Sequence, residues 1–130
     1  MVYDAIGAAP RSWAGQTAAE IHAVGREEGS VVVLPIASLE QHGPHLPTAT
    51  DTILATAIAH HGAAAAEDVP ALVLPPLWSG YSPHHTPFGG TVTVGFETLL
   101  SLVQDVVTSA VDSGFDAALV LNGHGGNAPL

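Results

Sequence analysis

The sequence predicts an α/β fold of three layers, α/β/α, built around a mainly parallel sheet. Three short apolar runs carry this prediction, at residues 31–36, 71–74 and 117–121. Each run is continuously apolar, which is typical of strands that are buried on both faces of a parallel sheet. Stretches with helical spacing separate the runs, and this alternation indicates a layered α/β architecture. The 130 residues are enough for a single domain.

Three helices are predicted from the spacing of apolar residues. They cover residues 17–28, 51–66 and 96–113. Thr17 and Glu20 fit a capping box at the start of the first helix. Thr50 or Asp51 fits the N-cap of the second helix. The third helix is amphipathic, with one apolar face for the sheet.

The remaining segments are predicted to be irregular or short. Residues 1–15 are mixed in composition and predict an irregular arm, whereas residues 91–94 alternate and predict a short strand. Two long loops, at 37–50 and 77–90, each follow a predicted strand. Loops of this length in a compact domain usually carry function, so we expect the chemistry to lie there.

The composition excludes several classes of function. The chain has no Cys, which excludes disulfides, thiolate zinc sites and cysteine nucleophiles. Two basic residues against twelve acidic ones give a net charge of −10, so nucleic acid and anionic membranes are poor partners. No apolar run spans a membrane and no signal peptide is visible, so we expect a cytoplasmic location. An acidic chain without Lys also suits the salt-rich cytoplasm of a halophile.

Four candidate metal ligands follow the predicted strands. Glu40, His42 and Asp51 come after the first strand, and His124 comes after the third. Ligands of open parallel sheets bind where the carboxyl ends of the strands meet, so we expect these side chains to converge. Imidazole and carboxylate are ligands of zinc, manganese and iron, and a carboxylate such as Asp51 can bridge two cations. Two such cations could activate a water for hydrolysis of an amide or formamide.

The other histidines leave alternatives open. His45 could be a ligand, a donor to a ligand, or a group that holds its loop, and His85 is a further candidate for catalytic support. His84 lies beside His85 in the second long loop. A single His in a loop is more often simply solvated. His60 and His61 fit a helix end, where a cation complements the helix dipole.

Two other functions have weaker support. The segment NGHGGN at 122–127 could approach a phosphate, but it matches neither dinucleotide nor P-loop patterns. Nucleotide binding is therefore a minor alternative. Ser38 and Ser82 lack the G-x-S-x-G elbow of many serine hydrolases, so a serine nucleophile is not expected.

Three segments together resemble the creatininase family, that is, creatinine amidohydrolase and its relatives. They are LPIASLEQHGPHLPTATD (34–51), GYSPHHTPFGGT (80–91) and LVLNGHGGN (119–127). The resemblance implies a three-layer α/β/α fold with two divalent metals, zinc, manganese or iron. It also implies hydrolysis of a non-peptide C–N amide bond, cyclic or formyl, by metal-activated water, with a small-molecule amide as substrate and a homo-oligomeric assembly.

By the same resemblance, Glu40 and His42 ligate different metals, Asp51 bridges them, and His124 is a further ligand. Gly126 stands where creatininase itself has Glu, so the chain resembles the broader family more than creatininase. Family members are longer, and we therefore expect residues 1–130 to be the N-terminal portion of a single, truncated domain. The isolated chain is then expected to be inactive. The alternative is a non-catalytic remnant or subunit that keeps the fold and a partial metal site.

Overall fold

The computed structural model describes residues 9–130. Its regular elements are α1 (Ala18–Gly25), β1 (Val31–Ile36), α2 (Thr50–Ala65), β2 (Ala71–Val73), α3 (Phe96–Val111) and β3 (Ala117–Asn122). Short 3-10 helices lie at Trp13–Gly15, Pro83–Phe88 and Gly125–Asn127. Within this described part, every helix is too short or too polar to cross a membrane.

The strands form a three-stranded parallel sheet in the order β2-β1-β3. Val31 of the central strand lies opposite Ala71 on one side and Ala117 on the other. Because all strands run in one direction, their carboxyl ends meet at one edge of the sheet, which we call the carboxyl edge. The α/β fold with a parallel sheet is confirmed.

Helices cover both faces of the central strand. Val32 and Val33 are neighbours in β1 and therefore point to opposite faces. Val33 packs against Ala59 of α2, while Val32 packs against Ala110 of α3 and Phe115. The small side chains on α2 let that helix lie close to the sheet. This packing gives the three layers that the apolar runs predict.

The prediction that β3 is buried on both faces is wrong for the described residues. Leu119 is 52% exposed and Val120 is 38% exposed, because β3 lies at the edge of the sheet and pairs with β1 alone. The outer face of α2 is also apolar and exposed, at Ile53, Leu54 and Ile58. The apolar pattern therefore predicts a parallel strand correctly here, but it does not predict how deeply that strand is buried.

Residues 9–15 of the predicted irregular arm are more ordered than expected. Residues 1–8 of the expected irregular arm lie outside the described residues. Ser12 makes a parallel bridge to Val73, which extends the sheet beyond β2. The capping box is confirmed: the Thr17 N–H donates to the Glu20 carboxylate at 2.7 Å, and the Glu20 N–H donates to the Thr17 hydroxyl at 3.4 Å.

Helix α2 begins without the predicted cap. Its N-cap is Ala49, and no side chain caps the helix. The Thr50 hydroxyl donates instead to the Pro47 carbonyl at 2.6 Å. The Asp51 carboxylate faces two histidines in place of the helix N–H groups. The residue expected to cap the helix is therefore committed to the candidate site.

The second long loop differs from the prediction in two ways. Residues 83–88 form a 3-10 helix within it. The strand predicted at 91–94 is reduced to one antiparallel bridge, in which the Val92 N–H donates to the Leu39 carbonyl at 2.8 Å. This bridge ties the second loop to the loop that follows β1. It brings their polar residues together at the carboxyl edge.

Candidate metal centre

Three segments meet at the carboxyl edge and bring the four predicted ligands together. Glu40 and His42 lie on the loop after β1, Asp51 in the first turn of α2, and His124 directly after β3. The Asp51 Oδ1 atom lies 3.0 Å from His42 Nε2, and its Oδ2 atom lies 3.1 Å from His124 Nδ1. His124 Nδ1 also lies 3.3 Å from Glu40 Oε1. The Asp51 carboxylate thus stands between two imidazoles, with one oxygen facing each.

These separations fit a divalent cation. A metal bonded to nitrogen and oxygen at about 2.0–2.2 Å holds its neighbouring ligands roughly 3.0–3.5 Å apart. Three nitrogen–oxygen contacts among the four predicted ligands measure 3.0–3.3 Å. Glu40, His42 and Asp51 each offer one ligand atom, and these atoms lie within 4.8 Å of one another. The donors are those that zinc, manganese and iron accept.

The charge of the centre also favours a cation. Glu40 is 6% exposed, and Asp51 is half-buried beside it. Within residues 9–130, the ion-pair partners of both carboxylates are histidines and never an arginine. Arg11 donates to backbone carbonyls near the start of β2, including that of Val69. Buried carboxylates without a fixed positive partner are costly unless a cation compensates them.

The backbone orients the His42 ring. Its Nδ1 lies 3.0 Å from the Glu40 carbonyl oxygen, which fits an Nδ1–H donor and leaves Nε2 facing Asp51. A hydrogen bond to the second ring nitrogen is the usual way in which proteins fix a metal-binding tautomer. This bond raises the pKa of His42 above its ordinary value. The Asp51 and Glu40 carboxylates raise it further, and burial opposes them.

Two serines hold the Glu40 carboxylate, and sequence reasoning missed their role. The Ser82 hydroxyl donates to Glu40 Oε2 at 2.7 Å, and the Ser38 hydroxyl lies 2.6 Å from Ser82 Oγ and 3.3 Å from the same carboxylate oxygen. Both serines are fully buried. Since Oε2 is taken up in this way, Oε1 is left facing His124. The serines therefore fix which carboxylate oxygen is presented to the centre.

Ser82 also contacts the ring of His124. The Ser82 Oγ lies 2.8 Å from His124 Nε2, so Ser82, His124 and Asp51 are arranged in the manner of a serine-protease triad. Ser82 is 0% exposed, however, and its hydroxyl hydrogen is donated to Glu40. A substrate cannot reach this oxygen. Ser82 is therefore a positioning residue, and His124 Nε2 donates to it while Nδ1 faces the carboxylates.

Of the two histidines proposed for catalytic support, His85 lies at the centre and His45 does not. His45 is exposed and has no hydrogen bond or ion pair among the described residues. His85 lies at the centre: its Nε2 is 3.7 Å from Glu40 Oε1, and its Nδ1 is 2.9 Å from the Gln41 side chain. The ring is partly exposed, so it stands between the buried Glu40 and solvent.

Asn127 joins the loops that carry the centre and was also missed. Its side-chain NH₂ donates to the Ala37 carbonyl at 3.1 Å, and its Oδ1 accepts from the Tyr81 N–H at 2.9 Å. The side chain is 1% exposed. A Cβ at Gly80 would overlap the Ala37 carbonyl oxygen, so this crossing requires glycine. The NGHGGN segment, which ends in Asn127, was the available signal.

The chain is similar to known proteins in sequence and in fold. The family model described as Creatininase, creatinine amidohydrolase, matches residues 14–130. The mycofactocin precursor peptide peptidase of Mycobacterium tuberculosis (strain CDC 1551 / Oshkosh) is 43% identical over 103 residues, which is 74% of this chain and 41% of that protein. The creatinine amidohydrolase of Pseudomonas putida is 34% identical over 99 residues, which is 72% of this chain and 37% of that protein.

A solved structure described as "Creatininase Mn" superposes with a TM-score of 0.78 at 33% identity, covering 88% of this chain and 45% of that one. The chain thus spans less than half the length of these relatives. Since the family model covers residues 14–130 and the folds match, the chain belongs to the creatininase family.

Proposed function

We propose that the chain carries the metal centre of an amidohydrolase, with Glu40, His42, Asp51 and His124 as ligands of two divalent cations. One observation carries the proposal. The two oxygens of Asp51 face different imidazoles, at 3.0 Å for His42 and 3.1 Å for His124. A carboxylate that bridges two cations needs one ligand group on each side. Zinc, manganese and iron all suit this set, and the "Creatininase Mn" relative supports manganese.

When bound, such cations lower the pKa of a water and polarise an amide carbonyl. The chain's own residues arrange the centre for this chemistry. Ser82 holds Glu40 and His124 in place, and the Glu40 carbonyl holds His42. We propose that His85, which is partly exposed and close to Glu40, moves a proton between the centre and the substrate. His45 is assigned no step because it lies apart from these groups.

The proposed substrate is a small molecule with a C–N amide bond. A non-peptide amide, cyclic or formyl, is the first candidate, and the relationship to creatinine amidohydrolase supports it. A peptide amide is the second, because the mycofactocin precursor peptide peptidase is the more similar of the two relatives, at 43% against 34% identity. The acidic chain favours either over nucleic acid or an anionic membrane. We also propose that the full-length protein is cytoplasmic and forms a homo-oligomer.

A subunit that binds metal without turnover is the competing function. The chain spans less than half of its relatives, and the outer faces of α2 and β3 expose Ile53, Ile58 and Leu119. Such faces suit contact with further protein. In this case the centre would bind cations while the chain alone hydrolyses nothing.

Titration of the metal-free chain with Mn²⁺ and Zn²⁺ tests the proposal. Calorimetry measures binding, and turnover is assayed on creatinine, a formyl amide and a short peptide. Glu40→Gln and His42→Ala should lose binding, whereas His61→Ala, which removes an exposed histidine of α2, should not. Hydrolysis at full rate by the metal-free chain would refute a metal-dependent mechanism. Binding without hydrolysis of any substrate would favour the subunit.

A further inference from the structure

We propose that His84 is a metal ligand and that Glu40, His84 and His124 together form the pocket of one cation. The inference rests on the proposed function, since it assumes that the centre binds divalent cations. Each of the three residues offers one ligand atom, and these atoms lie within 4.8 Å of one another. The second group that meets this criterion is Glu40, His42 and Asp51.

Glu40 belongs to both groups and therefore lies between two pockets. Its Oε2 atom accepts from Ser82 at 2.7 Å, while its Oε1 atom lies 3.3 Å from His124 Nδ1. Glu40 and His124 are each 6% exposed, whereas His84 is exposed. The pocket is thus closed on the protein side and open on the side of His84. A catalytic metal site needs such an open position, through which a water or substrate enters.

His84, unlike its neighbour His85, belongs to a group of ligand atoms that all lie within 4.8 Å of one another. The Nδ1 atom of His85 is hydrogen-bonded to the Gln41 side chain at 2.9 Å. Neither ring nitrogen of His84 has a hydrogen-bond partner within residues 9–130, so both are available. The His84 ring lies nearly parallel to that of His124, with an angle of 9° and a centroid separation of 6.1 Å. It therefore lies alongside His124 without a hydrogen bond that would compete with a metal.

Position 126 cannot supply this ligand. A Cβ at Gly126 would overlap both the Tyr81 carbonyl oxygen and His124 Nε2. The backbone at position 126 lies so close to the His124 ring that no carboxylate side chain fits there. Among the described residues, His84 of the 3-10 helix Pro83–Phe88 is the third member of the group that Glu40 and His124 belong to.

Co²⁺ titration of the metal-free chain tests this inference, with calorimetry for affinity and visible d–d absorption for ligand geometry. His84→Ala should weaken one of the two classes of site by at least about tenfold, the lower end of the loss typical for partners of metal ligands. The d–d spectrum should change, and added imidazole should restore it. The exposed position of His84 keeps the variant folded, which circular dichroism checks.

Two comparison variants separate the outcomes. His61→Ala removes an exposed histidine of α2 and should behave as the unmodified chain. His42→Ala should weaken the class of site that His84→Ala leaves intact. If His84→Ala matches His61→Ala while His42→Ala loses binding, the role of His84 is wrong and the proposed function stands. If the unmodified chain binds no Co²⁺, both are wrong.

Discussion

Replacing Ser82 with Ala tests whether this buried hydroxyl holds the metal centre. In the structure it donates to Glu40 Oε2 at 2.7 Å and lies 2.8 Å from His124 Nε2. Ala fits the same space but leaves the buried carboxylate with one weak donor, Ser38 at 3.3 Å. A hydrogen bond to a charged group contributes about 1.5–3 kcal/mol, so the free energy of unfolding should fall by about that amount. Metal affinity should fall about 10–100-fold, because two ligands lose their orientation.

The assay compares Ser82→Ala with a matched control, Ser79→Ala. The Ser79 hydroxyl donates to the Val92 carbonyl at 3.0 Å on the exposed side of the same loop. Urea unfolding followed by circular dichroism gives the stability of the metal-free chains, and Co²⁺ titration gives their affinity. The control should change the unfolding free energy by no more than about 0.5 kcal/mol and leave affinity unchanged. Equal Co²⁺ affinity in the two variants would refute the positioning role of Ser82.

Three further changes test the scaffold by urea unfolding. Gly80→Ala places a Cβ against the Ala37 carbonyl and should cost about 1–3 kcal/mol of stability; an unchanged midpoint would contradict this crossing of the loops. Thr17→Ala removes the capping box and should cost about 0.5–2 kcal/mol, and a stability loss near zero would mean that the first helix does not depend on its cap. Burial lowers the pKa of His60, so its neutral form is favoured in the folded chain. Stability should therefore fall as the pH drops through 6.5, where the unfolded chain takes up its proton first, and His60→Gln should reduce this fall; an identical pH profile would contradict it.

The convergence of the ligands could be predicted because it follows from strand direction. The runs that include Val33 and Leu119 are continuously apolar, which indicates strands of a parallel sheet. Parallel strands bring the loops after them to one edge, so Glu40 and His124 had to approach each other. Burial of β3 could not be predicted in the same way. The exposure of Leu119 depends on what packs beside the strand, and a run of apolar residues does not encode that.

The residues that support the ligands depend on contacts distant in sequence. Ser82 reaches Glu40 across 42 residues, and Asn127 reaches Ala37 across 90. Ser82 stands in no short motif with a known mechanical role, and the NGHGGN segment that ends in Asn127 does not reveal the partners of that side chain. The hydrogen-bond partners of Asp51 could not be predicted from the sequence either. As a sequence position it suits a helix cap, and its true partners are two histidines from other loops.

Anomalous scattering from crystals soaked in Mn²⁺ or Zn²⁺ tests the central claim most directly. We expect a peak about 2.0–2.2 Å from an Asp51 oxygen and from His42 Nε2, with a second beside His124 Nδ1. Peaks confined to other parts of the molecule, with both Asp51 oxygens still hydrogen-bonded to the two imidazoles, would contradict it.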